Sequence, residues 1–134
     1  MKAYTVKNQT STEKVIVVDD MIASGESMLD VALQLKERGA KRIFAFSTFG
    51  LFTNGFEVMD KAYEEGILHG VLTTNLIYQT PELLQREWYI NCDMSKYIAL
   101  MIDTLNHDGS VNSLLNPSKR IQNIVEMYKR GEEI

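Results

Sequence analysis

Cysteine and proline are scarce in these 134 residues, with one of the first and two of the second. A lone Cys92 excludes a disulfide framework. With eight Gly and two Pro, the chain has no Pro/Gly-rich linker along which it would divide. No apolar run approaches the ~18 residues of a membrane span, and Met1-Lys2-Ala3-Tyr4-Thr5 has no signal-peptide core. A reducing, cytoplasmic setting without a membrane partner is the expectation. Basic charge is also in deficit, 14 Lys and Arg against 18 Asp and Glu, for a net charge of −4. Without a basic stripe, nucleic acid is not an expected partner. The 45% hydrophobic fraction excludes disorder. The length fits one domain over residues 1–134.

Residues 1–13, rich in Lys, Thr, Asn and Gln, read as a lead-in. Lys14 to Asp19 is a continuous β-branched run, suited to a strand buried on both faces. From Ser27 to Arg38 the period becomes helical: Asp30, Gln34 and Glu37 form a polar stripe, and Met28, Leu29, Ala32, Leu33 and Leu35 fill the rest. Gly39 ends this helix, at a position that favours the left-handed region. Arg42 to Phe49 reads as a second strand, Phe56 to Glu65 as a helix closed by Gly66, and Val71 to Thr74 as a third strand. Thr80-Pro81 pairs an N-cap with Pro at the first helical position, opening a short helix. Glu87 to Cys92 reads as a fourth strand. Asp93 can cap a helix with Met94, Ile98, Met101 and Leu105 on one apolar face. Asn116-Pro117 opens the last helix, within 116–134, whose buried side is expected to be Ile121, Ile124, Val125 and Tyr128, with Gly131 after it. This alternation predicts an α/β domain of three layers: a mainly parallel sheet with helices on both faces and right-handed crossovers.

Ligands of such sheets bind beyond the carboxyl ends of the strands, where a loop leads into a helix. The first strand ends in Val18-Asp19-Asp20-Met21-Ile22-Ala23-Ser24-Gly25-Glu26-Ser27, with a helix directly after. A helix start leaves backbone N–H groups unpaired and favours an anion by ~0.3–1 kcal/mol. The small Ala23, Ser24 and Gly25 let backbone close around a phosphate, and the Ser24 and Ser27 hydroxyls add donors. Asp19 and Asp20 would repel a phosphate but suit a vicinal diol, whose hydroxyls donate to carboxylates. A sugar phosphate satisfies both halves. A plainer reading exists for part of this: Ser27-Met28-Leu29-Asp30 matches a capping box, which would make Ser27 and Asp30 structural.

Other chemistry lacks its residues. The sequence has no Gly-Lys-Ser/Thr phosphate loop, no Gly-x-Gly-x-x-Gly and no Gly-x-Ser-x-Gly elbow. Cys92, inside an apolar strand, reads as packing. His69 and His107 have no metal-ligand spacing. Tyr4, Trp88 and Tyr89 are not interleaved with basic residues as an RNA-stacking surface requires.

The stretch Val17 to Ser27 resembles the phosphoribosyl-diphosphate-binding motif of type I phosphoribosyltransferase folds, an acidic pair before a small Thr-Gly-x-Thr-like loop. Its Asp-Asp-Met start and several downstream segments are similar to the ribose-phosphate diphosphokinase family. These segments are Phe49 to Gly55, Thr73-Thr74-Asn75-Leu76-Ile77, Asp93-Met94-Ser95-Lys96 and, less closely, His107 to Val111. The likeness keeps its order from about Lys14 to Leu115. It implies Asp19 and Asp20 for the ribose hydroxyls, and Ala23, Ser24, Gly25, Glu26 and Ser27 for the phosphate of ribose 5-phosphate. Ser24 and Ser27 stand for threonines and keep the hydroxyls. Ala23 stands where many relatives are acidic, and Glu26 where a small residue is common, so either Glu26 points its charge away from a phosphate or binding is weaker than in the family.

The family joins ATP and ribose 5-phosphate into phosphoribosyl diphosphate for nucleotide biosynthesis, with Mg2+, as a homo-oligomer. Its amino-terminal half carries the ATP site, metal ligands and a basic loop, which nothing before Lys14 resembles. The resemblance therefore implies the carboxyl-terminal, ribose-5-phosphate-binding half, without catalytic or metal-binding residues of its own and inactive alone. The other readings are a non-catalytic regulatory subunit that binds phosphoribosyl diphosphate, a phosphoribosyltransferase-related domain, and a signalling receiver domain. The last needs an Asp at the end of the third strand, where Thr73-Thr74-Asn75 stands.

Overall fold

The computed structural model describes residues 2–8 and 11–132. These form two compact units, one through Met94 and one from Ser95. The first holds a five-stranded sheet in the order β1-β2-β3-β4-β5. Its strands are β1 (Lys2–Asn8), β2 (Ser11–Ile22), β3 (Arg42–Gly50), β4 (Gly70–Thr74) and β5 (Tyr89–Cys92). The β2, β3, β4 and β5 strands run parallel, and β1 is antiparallel to β2. The α/β class with a mainly parallel sheet is as the sequence predicts.

The first two strands differ from their sequence reading. The expected lead-in contains a strand, β1, with Lys2 opposite Val18 and Val6 opposite Lys14. Its polar composition disguised it, although an edge strand needs little apolar surface and Tyr4, Thr5 and Val6 are all β-formers. The β2 strand runs past Asp19 to Ile22, because β3 continues beside it: Asp19 pairs with Ser47, Met21 with Phe49 and Ile22 with Gly50. A carboxylate at a strand end stops a hydrophobic run but not a hydrogen-bonded ladder.

Three helices connect the parallel strands: α1 (Glu26–Glu37), α2 (Glu57–Glu64) and the single turn α3 (Pro81–Leu84). Every crossover steps one strand in the same direction, so right-handed connections put these helices on one face. Burial agrees. Val15, Val17, Ile43, Ala45 and Val71 share a core with Met28 and Ala32 of α1 and with Met59 and Ala62 of α2. Full burial of each large member contributes about 1.5–3 kcal/mol. Strand residues of opposite parity are less covered: Phe44, Phe46 and Leu72 are half-buried, and Ile16 and Ile90 are exposed.

Local signals hold at the start of α3 and the end of α1. Thr80 Oγ1 accepts the Leu83 N–H at 3.2 Å, with Pro81 at the first helical position. Gly39 takes φ +90 after α1, a region that a side chain would strain. The β5 strand is shorter than expected at its start, where Trp88 still gives its carbonyl to the Val71 N–H at 2.8 Å.

The second unit comprises α4 (Ser95–Asn106), α5 (Asn112–Leu115) and α6 (Ser118–Arg130). Within it the Tyr97 hydroxyl donates to the Leu114 carbonyl at 2.8 Å. The stripe expected to be the buried side of the last helix is exposed at Ile121, Ile124, Val125 and Tyr128. Periodicity tells which face of a helix is apolar, and not that this chain supplies its cover. Among the described residues, no helix is long and apolar enough to cross a membrane.

Candidate functional site

The carboxyl end of β2, the turn at residues 23–25 and the start of α1 enclose a hollow of about 110 Å³, room for several waters or an oxyanion. Asp19, Ala23, Ser24, Gly25 and Ser27 line it, with Met21, Ile22 and Met28. Gly25 is the residue on which the helix begins. Its φ of +93 and ψ of −14 are left-handed, and its carbonyl accepts the first helical bond from the Leu29 N–H at 3.0 Å. A Cβ at Gly25 would overlap the terminal methyl of Met59. Among the described residues no side chain caps the start of α1. The N–H groups of Glu26, Ser27 and Met28 therefore have no intrahelical acceptor and carry the positive end of the helix dipole.

This start overturns the capping-box reading. Ser27 is the second helical residue and not the N-cap, so the reciprocal bonds of a box with Asp30 are not formed. The left-handed Gly25 begins the helix two residues earlier than a Ser27 cap would.

The sequence-predicted residues do not all meet. Asp19 lines the hollow and Asp20 does not. Consecutive strand residues project to opposite faces, and both aspartates lie inside β2. Asp20 is exposed, and its N–H donates to Asp19 Oδ1 at 3.1 Å. Glu26, expected with the phosphate-binding residues, is exposed and outside the lining.

Behind the hollow, the segment after β3 contributes hydrogen bonds that the sequence did not reveal. The Leu51 N–H donates to the Ile22 carbonyl at 2.8 Å, and the Thr53 N–H to the Ala23 carbonyl at 2.9 Å. The family resemblance marked Phe49 to Gly55 as a segment, and not its bonds to the turn. Along the remaining strand ends the polar groups are satisfied internally. Thr73 Oγ1 and the Tyr89 hydroxyl are 2.7 Å apart, and Gln79 Nε2 donates to the same hydroxyl. Thr74 Oγ1 donates to the Thr48 carbonyl at 2.6 Å, and Asn75 Nδ2 to Asp93 Oδ1 at 2.7 Å. Burial raises the pKa of Tyr89 and of the Cys92 thiol. A raised thiol pKa opposes thiolate chemistry at Cys92.

Fold and hollow define an α/β domain with its candidate site at the carboxyl end of a parallel sheet. The chain belongs to the phosphoribosyl synthetase-associated domain family, whose profile matches residues 3–116. The ribose-phosphate pyrophosphokinase of Vibrio cholerae serotype O1 is 30% identical over 101 residues, covering 75% of this chain and 31% of that protein. The Pasteurella multocida protein of the same name is 31% identical over 99 residues, covering 74% of this chain and 30% of its own. The chain thus spans about a third of the length of the curated relatives it matches. Among solved structures, phosphoribosylpyrophosphate synthetase from Mycobacterium smegmatis has the same fold, with a TM-score of 0.61 and 23% identity over 70% of this chain and 30% of that one.

Proposed function

We propose that this chain is the carboxyl-terminal, ribose-5-phosphate-binding part of a cytoplasmic, homo-oligomeric ribose-phosphate diphosphokinase. That enzyme moves a diphosphoryl group from ATP to the anomeric hydroxyl of the sugar, releasing AMP. The observation that carries the reading is the uncapped start of α1, which lines the same hollow as Asp19. The phosphate lies against the N–H groups of residues 24–27 and the Ser24 and Ser27 hydroxyls, which neutralise it by hydrogen bonding and the helix dipole. Asp19 accepts the ribose hydroxyls inside the hollow. Asp20 takes part through its N–H, which holds Asp19 Oδ1. The family relationship supports this assignment, since the relatives bear the name of that activity.

ATP and its Mg2+ belong to the amino-terminal part in this reading. Among the described residues no three His, Cys, Asp or Glu side chains converge as a metal site needs. Its work is to hold and orient the sugar, a contribution of position.

Calorimetric titration tests the reading with three ligands: ribose 5-phosphate, ribose and inorganic phosphate. Ribose 5-phosphate should bind with a dissociation constant of roughly 0.1–1 mM, about −4 to −5.5 kcal/mol. Each fragment alone should bind at least about tenfold more weakly. No heat from ribose 5-phosphate at millimolar concentration would reject the assignment.

A further inference from the structure

We propose that Phe52 and Thr53 are positioning residues for the hollow, holding its carbonyls outward so that its N–H groups stay turned toward an oxyanion. The inference rests on the reading of the hollow as an oxyanion site. Each residue of the turn carries one donor and one acceptor. Rotation of a single peptide plane would swap an N–H for a carbonyl and turn attraction into repulsion. Ala23 and Ser24 are too small to fix those planes by packing. Instead the Leu51 N–H holds the Ile22 carbonyl at 2.8 Å, and the Thr53 N–H holds the Ala23 carbonyl at 2.9 Å.

These two donors alternate around Phe52, which has φ +47. A bulky residue in the left-handed region is an outlier and persists only where its surroundings over-determine it. Here they do. Phe52 is 6% exposed, with its ring 5.7 Å edge-on from Trp88 and 5.6 Å from Phe56. Gly50 lets the segment close down: a Cβ there would collide with the Phe52 ring and the Thr73 methyl. The aromatic cluster thus fixes a strained backbone, and the strained backbone places the N–H groups that orient the turn.

The test is titration of inorganic phosphate into the full chain, followed by the amide resonances of residues 24–27. Thr53→Pro removes the donor, and Phe52→Gly removes the anchor. Each should weaken phosphate by about fivefold or more in folded protein. The conservative Thr53→Ala keeps the N–H and should rescue binding. A purely structural role would lower the unfolding midpoint and leave the affinity of the folded fraction unchanged. Affinity within about twofold of the parent in either folded variant overturns the proposal. Should neither variant fold, hydrogen exchange in the parent decides: phosphate must slow exchange of the Thr53 amide, and unchanged exchange overturns the coupling. A parent chain that binds neither phosphate nor ribose 5-phosphate would instead overturn the oxyanion reading beneath it.

Discussion

The indole N–H of Trp88 donates to Asp60 Oδ1 at 2.6 Å, and Arg86 Nε donates to the same oxygen at 2.9 Å, with Nη2 on Oδ2 at 3.1 Å. Arg86 also lies 4.2 Å over the Phe56 ring and donates to the Glu82 carbonyl at 2.7 Å. One α2 carboxylate therefore ties the α3–β5 corner to the aromatic cluster that backs the candidate site. Trp88 is 2% exposed, so losing its acceptor would leave a buried donor unpaired.

Asp60→Ala should accordingly cost about 2–4 kcal/mol, since it orphans the indole N–H and takes the carboxylate from a partly buried guanidinium. Asp60→Asn, which can still accept from the indole, should cost less. Urea unfolding checks both, and an Asp60→Ala midpoint equal to the parent's would show that the corner is held by packing alone.

The legibility of this molecule in its sequence follows how local each signal is. The parallel strands and α1 were legible because β-branched runs and a helical stripe are written in adjacent residues, and Thr80-Pro81 announced its own helix start. What failed depended on partners. The β1 strand exists because β2 is there to pair with it. Asp19 and Asp20 look like a matched pair in sequence, yet a strand that continues through both divides them between its two faces. Ser27 looked like a cap until the backbone of Gly25 began the helix first. The Leu51 and Thr53 bonds to the turn come from a segment about 30 residues away, beyond the reach of any local pattern.

Stability should depend on pH through His69. Burial lowers its pKa, followed by the positive charges of Lys36 and Arg42. Its Nδ1 accepts the Ile43 N–H at 3.4 Å, which requires the neutral ring. With the folded value below the ordinary value of about 6.5, the unfolded chain takes up a proton first as the pH falls. This contribution is therefore fully present above about pH 6.5, is lost as the pH drops toward the folded value, and changes no further below that. Unfolding free energies of the parent and of His69→Gln, measured from pH 8 to 5, isolate it by subtraction. The difference between them should shrink on acidification, and a constant difference would remove His69 from the account.

Gly25→Ala should damage both the fold and the site. The left-handed φ penalises any Cβ, and Met59, which is 1% exposed, must also shift. The expected loss of stability is about 1–2 kcal/mol. Ribose 5-phosphate affinity should fall as well, because the N–H groups after Gly25 would no longer converge. A variant less stable than the parent but equal in affinity would separate helix initiation from binding.

The two aspartates should respond unequally. Asp19→Asn removes the carboxylate that lines the hollow and should weaken ribose 5-phosphate by about 1–3 kcal/mol, the range for hydrogen bonds to a charged group. Asp20→Asn keeps the N–H that meets Asp19 Oδ1 and should cost clearly less. Calorimetry of both variants decides. Equal losses would mean that the sugar bridges the strand edge to reach both carboxylates.

The chain alone should bind the phosphosugar and make no phosphoribosyl diphosphate. Diphosphoryl transfer builds charge on the transferred group, and sites that catalyse such steps stabilise it with metal ions and clustered cations. The hollow offers amides, two hydroxyls and a helix start, enough for one phosphate, and among the described residues no Lys or Arg lines it. The net charge of the chain, −4, also disfavours a triphosphate. Without those clamps, the positional advantage of the bound sugar has no oriented ATP to act on. Purified chain with ATP, magnesium and ribose 5-phosphate should therefore release no AMP above a blank. Addition of the amino-terminal part of a relative should be required before any turnover is seen. Sustained AMP formation by this chain, abolished by Asp19→Asn, would show that it carries the entire active site and would end the division of labour proposed for it.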